Sequence, residues 1–141
     1  MATRSRIAIE REEGTVYSIY CHFDGYPEHN GAVLQKHYQD RSKVEKLIAL
    51  GDISILGREI EPKGEHSFEN PETGVVVAYH RDRGDELRKA KLHKDKADYF
   101  KSDVEEYGYL FTKEGEWKYV EGDGSRQPQS CAKNSHKSFT V

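Results

Sequence analysis

The sequence predicts an α+β fold: a mostly antiparallel sheet of about five strands, made of two hairpins plus one strand, with helices packed on one face. Two observations near the ends of the chain carry this reading. Paired runs of alternating apolar residues, each broken by a short glycine-containing turn, occur at 3–23 and 106–121. The third observation lies between them, where capping signals and helical apolar spacing flank a β-branched run at 75–80. A doubly wound parallel sheet is disfavoured, because tight hairpins join antiparallel neighbours.

Residues 3–11 alternate so that Ile7 and Ile9 share one face, with Arg6, Ala8 and Glu10 on the other. After Glu12-Glu13-Gly14, residues 15–23 alternate again, placing Tyr17, Ile19, Cys21 and Phe23 toward the core and Val16, Ser18, Tyr20 and His22 away from it. Asp24-Gly25, Pro27 and Asn30-Gly31 mark a loop, after which 32–40 turns helical with Val33, Leu34, His37 and Tyr38 on one stripe. Ser42-Lys43-Val44-Glu45 has the form of a capping box, so a second helix starts there, with Val44, Leu47 and Ile48 as its apolar edge and Gly51 as its stop.

From 52 to 74 the pattern weakens into a bent connector or short strand around Ile53, Ile55, Leu56 and Ile60. Residues 75–80 read as a strand ending at His80, followed by the polar turn Arg81-Asp82-Arg83-Gly84-Asp85 and a basic helix over 86–93. Asp95 caps a further helix in which Ala97, Phe100 and Val104 form a stripe. The second hairpin turns at Lys113-Glu114-Gly115-Glu116 and sets Tyr107, Tyr109, Phe111, Trp117 and Tyr119 across from one another. This organisation is a single domain over 1–121 and a disordered polar tail over 122–141.

Composition bounds the function classes. With 22 basic and 25 acidic side chains well mixed, a net charge of −3 argues against general nucleic-acid binding and is too mild for a DNA mimic. Two cysteines build no disulfide framework and fit a reducing compartment. No apolar run approaches the roughly 20 residues of a membrane span, and the first residues lack a signal-peptide core, so no membrane association is expected. Nine tyrosines in a leucine-poor chain place apolar area at a surface or interface, which leaves a homo-oligomer open.

The densest cluster of chemically versatile residues is 20–31, YCHFDGYPEHNG. His22, Asp24 and His29 lie there and His80 ends the third strand, yet no metal-ligand spacing is present, so neither a metal nor a cofactor is expected. No catalytic set is assigned; the alternative is a hydrolase using His22, Asp24 and His80, with His37 and Glu28 as further base and orienting candidates. Cys21 faces the core and no nucleophile elbow exists. A ligand-binding reading uses Arg4, Arg6, Arg81 and Arg83 for an anion, with Tyr20, Tyr26 or Tyr38 as stacking surfaces beside His22, Asp24 and His29. A third reading engages a partner protein through the aromatic hairpin.

Thr3-Arg4-Ser5-x-Ile7, Gly14, the run from Ser18 through His29, Gly31 and a helix ending at Tyr38 carry a resemblance. Over 3–57, including Leu50-Gly51-Asp52-Ile53-Ser54, the chain resembles a family of small uncharacterised accessory proteins of bacteriophages and prophages. These share a TRS-type start and a Y-x-H-[FW]-DGYP core. The resemblance implies an accessory protein of the host cytoplasm, not a virion component or replication enzyme. It implies action by counter-defence or host takeover, either sequestering a nucleotide-like small molecule or blocking a host defence protein; no site residue is inherited from it.

Overall fold

The computed structural model describes residues 2–122 and 128–131. Strands β1 (Ser5–Glu10) and β2 (Val16–Cys21) form the first hairpin, closed by the Arg11 amide donating to the Thr15 carbonyl at 2.8 Å. Gly14 sits in its turn at φ 97°, a left-handed conformation that glycine adopts without a Cβ penalty. A π turn at Pro27–Gly31 leads into α1 (Ala32–His37), and α2 (Arg41–Ala49) follows.

The cap of α2 is Asp40, not the Ser42 of the capping-box reading. Asp40 accepts the Ser42 amide at 3.2 Å and the Ser42 hydroxyl at 3.0 Å, so one carboxylate serves both groups.

After β3 (Ile53–Ile55), the strand expected over 75–80 shrinks to β4 (Val77–Ala78). The Asp82 carboxylate turns back to accept the Ala78 amide at 2.7 Å and the chain winds into α3 (Tyr79–Arg83), closed by Gly84 at φ 81°. His80 therefore belongs to a helix, and the expected polar turn is mostly helical. The basic helix expected over 86–93 is replaced by β5 (Lys91–His93), which pairs antiparallel with the Val16–Ser18 end of β2. That end of β2 has backbone groups that β3, registered at Cys21, does not reach, and their pairing outweighs weak local propensity. Asp95 does cap α4 (Lys96–Lys101), accepting the Asp98 amide at 2.8 Å. β6 (Tyr107–Phe111) and β7 (Trp117–Glu121) form the second hairpin, and β8 (Gln129–Ser130) pairs with β7.

Seven strands lie in the order β4-β3-β2-β1-β6-β7-β8, with β5 branching from β2. The α+β class holds, but the sheet is mixed and larger than the expected five mostly antiparallel strands. β1 runs parallel to β6, and β2 runs parallel to β3 through the crossover of α1 and α2. The alternation and turn chemistry that identify each hairpin govern pairing within it, and say nothing of how two hairpins dock.

The expectation of helices on one face is also corrected. Ile7, Ile9, Ile19 and Cys21 pack against Leu34, Tyr38, Val44 and Leu47 of the α1 and α2 region. On the opposite face Ala8, Val16, Leu110 and Val120 pack with Tyr99 and Phe100 of α4 and with Val104. β1 is consequently buried on both sides, including Ala8, which alternation had placed outward.

The aromatic hairpin lies inside. Phe111 and Trp117 pair across the strands at 5.1 Å between ring centroids and Tyr109 and Tyr119 at 5.7 Å, all four rings being buried. Trp117 Nε1 donates to the Tyr38 carbonyl at 2.9 Å, which ties the hairpin to α1. These rings are core, so the partner-binding reading of the hairpin loses its surface. Of the tail expected over 122–141, residues 123–127 and 132–141 lie outside the described residues. Among the described residues, no helix is long and apolar enough to cross a membrane.

Candidate functional site

The 20–31 stretch is held by its own polar groups. The Gly25 amide donates to the Thr3 carbonyl at 2.8 Å, and the Gly25 carbonyl accepts the Tyr109 hydroxyl at 2.7 Å. A Cβ at Gly25 would lie 2.8 Å from Ser5 Cβ and from Thr3 O, so the backbones meet where only glycine fits. Pro27 starts the π turn. Asn30 is fully buried and donates to Ser5 Oγ at 3.3 Å and Cys21 Sγ at 3.4 Å. The DGYP motif with its following asparagine is thus a clasp between the loop, β1 and β6.

The candidate ligand residues of the stretch disperse around this clasp. Tyr20 and His22 stay together, the tyrosine hydroxyl 2.7 Å from His22 Nδ1. Asp24, in the left-handed region at φ 58°, accepts the Tyr26 hydroxyl at 3.2 Å. Tyr26 lines a depression with Glu105, Glu106, Tyr107 and Glu121. His29 bonds Asn30 Oδ1 at 2.9 Å and faces a different depression beside His37 and Arg58. His22, Asp24 and His80 each have a separate partner, and among the described residues no three His, Cys, Asp or Glu side chains converge as metal ligands. Burial pushes the Cys21 thiol up to about 11, so it is a packing group and not a thiolate.

The arginines separate by what they already hold. Arg81 donates to the Ile60 carbonyl at 2.6 Å, to the Val76 carbonyl at 2.7 Å and to both Asp82 oxygens. It is a structural tie. Arg6 donates to Ser18 Oγ at 2.9 Å and to the Ser18 carbonyl at 3.1 Å on the face covered by α4. Arg4 is exposed, and its charge opposes the effect of burial on Tyr20, which on balance keeps the phenol protonated above its ordinary range.

A cleft of about 380 Å³ gathers Tyr20, His80 and Arg83, three residues singled out from sequence, with Asp52, Tyr79, Asp85, Glu86 and Arg88. Tyr20 reaches it from the last outward position of β2. Asp52 is fixed there because its Oδ1 accepts the Tyr20 amide at 3.0 Å, just before β3 begins. α3 supplies Tyr79, His80 and Arg83. The Arg83 guanidinium forks onto Asp85 at 2.9 and 2.6 Å and lies over the Phe68 and Tyr79 rings at 4.5 and 5.0 Å. That fork holds the Asp85 carboxyl below its usual range. His80 Nδ1 donates to the Asp85 carbonyl at 2.7 Å, because a carbonyl can only accept, and this leaves Nε2 as an acceptor in the neutral ring. Arg88 makes no side-chain hydrogen bond or ion pair among the described residues, and its charge adds to the Arg83 fork in lowering the Asp85 carboxyl.

Asp52, Tyr79 and Arg88 escaped the sequence reading. Asp52 stood in a stretch without periodicity, Tyr79 in an apparent strand, and Arg88 in an apparent helix of solvated cations. A second group also escaped it: Ser18 Oγ lies 2.8 Å from His93 Nε2 while accepting from Arg6. Accepting from Arg6 leaves the serine hydroxyl both its own hydrogen and a second lone pair for the imidazole. Ser18 and His93 are both buried, and this pair acts as packing support beneath Tyr99. No family model, curated protein or solved structure matches the chain at a significant level.

Proposed function

We propose that the chain is an accessory binding protein, of the phage-encoded kind that its N-terminal motifs resemble, and that it sequesters a nucleotide-like small molecule in the cleft beside α3. One observation carries the proposal: one cleft is lined by Arg88, which has no side-chain partner among the described residues, together with Tyr20, Tyr79, Asp52 and Glu86. The volume falls within the roughly 300–1,000 Å³ of small-molecule sites. Arg88 suits a phosphate, for which a planar fork gives paired hydrogen bonds. Tyr20 and Tyr79 suit a base, and Asp52 or Glu86 suits the ribose hydroxyls, since an ionised carboxylate can only accept. With Asp52, Asp85 and Glu86 against Arg83 and Arg88, the cleft is not basic enough for a polyanion. A single anionic group with several donors matches it better.

Native mass spectrometry of the full chain mixed with ribonucleoside mono-, di- and triphosphates tests this. The expected result is one retained nucleotide adduct that disappears in Arg88→Ala. No adduct with any nucleotide, or an adduct indifferent to Arg88→Ala and Tyr20→Ala, refutes it. The hydrolase reading gains no comparable support, since His22 is engaged by Tyr20 and Asp24 by Tyr26.

A further inference from the structure

α4 is six residues long and covers its face of the sheet only in part. Beside it runs a groove of about 410 Å³, separate from the cleft at α3 and sharing no residue with it. Its apolar lining is Ala97, Phe100 and Pro128 over the fully buried Leu110, and its cations are Lys96, Lys101 and Lys118. Residues 96, 97, 100 and 101 follow helical i, i+1, i+4, i+5 spacing, so α4 presents both kinds of group along one stripe. Leu110 and Lys118 are direct partners across β6 and β7, which puts them on the same face of the sheet. Apolar floor and cationic flanks are therefore built into two elements at once.

The charge pattern identifies the occupant. Among the described residues, every titratable side chain lining the groove is a lysine and none is a carboxylate, although the whole chain carries −3. Among the described residues these three ammonium groups make no ion pair or hydrogen bond. An apolar channel flanked by unpaired cations complements a molecule with an apolar body and one anionic head. The exposed large hydrophobic side chains, Phe23, Tyr26, Leu87 and Leu92, all lie outside the groove. Among the described residues no large apolar side chain projects from its rim to enter a bilayer, so the ligand enters the protein. We propose that this groove binds a free aliphatic carboxylate of medium chain length, its chain against Ala97, Phe100 and Leu110 and its head on the lysines.

Decanoate, kept below its micelle concentration, is the probe, titrated into the full chain while the Ala97 and Leu110 methyl signals are followed by NMR. The expected result is saturable shifts at both methyls, with decanol binding at least about fivefold more weakly for want of the charge. Ala97→Trp, which fills the groove from an exposed position and removes the Ala97 probe, abolishes the shift at the Leu110 methyls. A combined Lys101→Gln and Lys118→Gln variant weakens decanoate while leaving decanol unchanged, and it serves as well should the tryptophan variant misfold. Absence of saturable shifts, equal affinity for decanol, shifts that survive in folded Ala97→Trp, or binding to anionic vesicles without binding of free decanoate would each overturn the proposal.

Discussion

Replacing Asp82 with alanine asks whether the segment around α3 is held by a buried polar node, as its geometry requires. The Asp82 side chain is 5% exposed and accepts the Ala78 amide at 2.7 Å, Arg81 Nε at 2.9 Å and Arg81 Nη2 at 3.1 Å. His66 completes the node. Its Nδ1 accepts the Glu72 amide at 2.9 Å, so the proton sits on Nε2, 3.2 Å from Asp82 Oδ2 but poorly aligned for a hydrogen bond.

Alanine would strip the acceptor from a guanidinium and an amide together and remove the carboxylate beside a buried imidazole. Removing one partner of a buried charge pair costs about 3–5 kcal/mol. The Arg81 side chain is 24% exposed, and water recovers part of the loss, which leaves about 2–4 kcal/mol. Against a total stability of about 5–15 kcal/mol this is a large fraction. With a urea slope of about 2 kcal/mol/M, the middle of the usual range, the unfolding midpoint should fall by about 1–2 M at unchanged slope.

The pH dependence gives a second readout. Burial alone would raise the Asp82 pKa, but the Arg81 bonds, the Ala78 amide and His66 outweigh it, so the folded value lies below 3.8. A depressed carboxylate stabilises the fold above its unfolded pKa, and that contribution is lost as pH falls through the folded value. Wild type should therefore lose more stability than Asp82→Asn upon acidification below about pH 4. A cost under about 1 kcal/mol for alanine, the size of one ordinary hydrogen bond, together with parallel acid curves would refute the node.

Two further perturbations probe the clasp and the opposite face. Gly25→Ala drives a Cβ to 2.8 Å from Ser5 Cβ and Thr3 O, and overpacking of this kind costs about 1–3 kcal/mol, so a calorimetric transition that does not move would remove the steric account of the DGYP glycine. Burial first, and then the Arg6 charge, push the His93 imidazole below its usual value. A histidine kept neutral in the fold stabilises it above the unfolded pKa of about 6.5 and loses that contribution as pH falls further. Denaturant midpoints should drop more for wild type than for His93→Gln between about pH 7 and 5, and equal drops would mean that His93 is not held neutral by its surroundings.

What the sequence made legible was local. Both hairpins, the helix after Gly31 and the Asp95 cap follow from alternation, glycine turns and a carboxylate that satisfies free amides, all within a few residues. What it hid was set by distant partners: β5 exists because β2 has unpaired backbone at Val16–Ser18, and β4 is short because Asp82 captures the Ala78 amide. The cleft is hidden for the same reason, since Asp52 and Arg88 meet Tyr20 only through the sheet.

The dense 20–31 stretch misled in a more instructive way. The side chains that suit ligands are also those that close irregular backbone, and Asn30 and Gly25 are used for closure. Residue type alone cannot separate the two uses; the donor count can. Arg81 and Arg88 are seven positions apart and chemically identical, yet each nitrogen of the Arg81 fork donates to a protein acceptor while, among the described residues, the Arg88 guanidinium has none. An arginine whose hydrogen bonds are complete gains nothing from an anion, whereas one that exchanges only with water can trade it for a phosphate. On the function proposed above, that difference puts the binding site in the cleft lined by Arg88 and not in the most conspicuous motif of the chain.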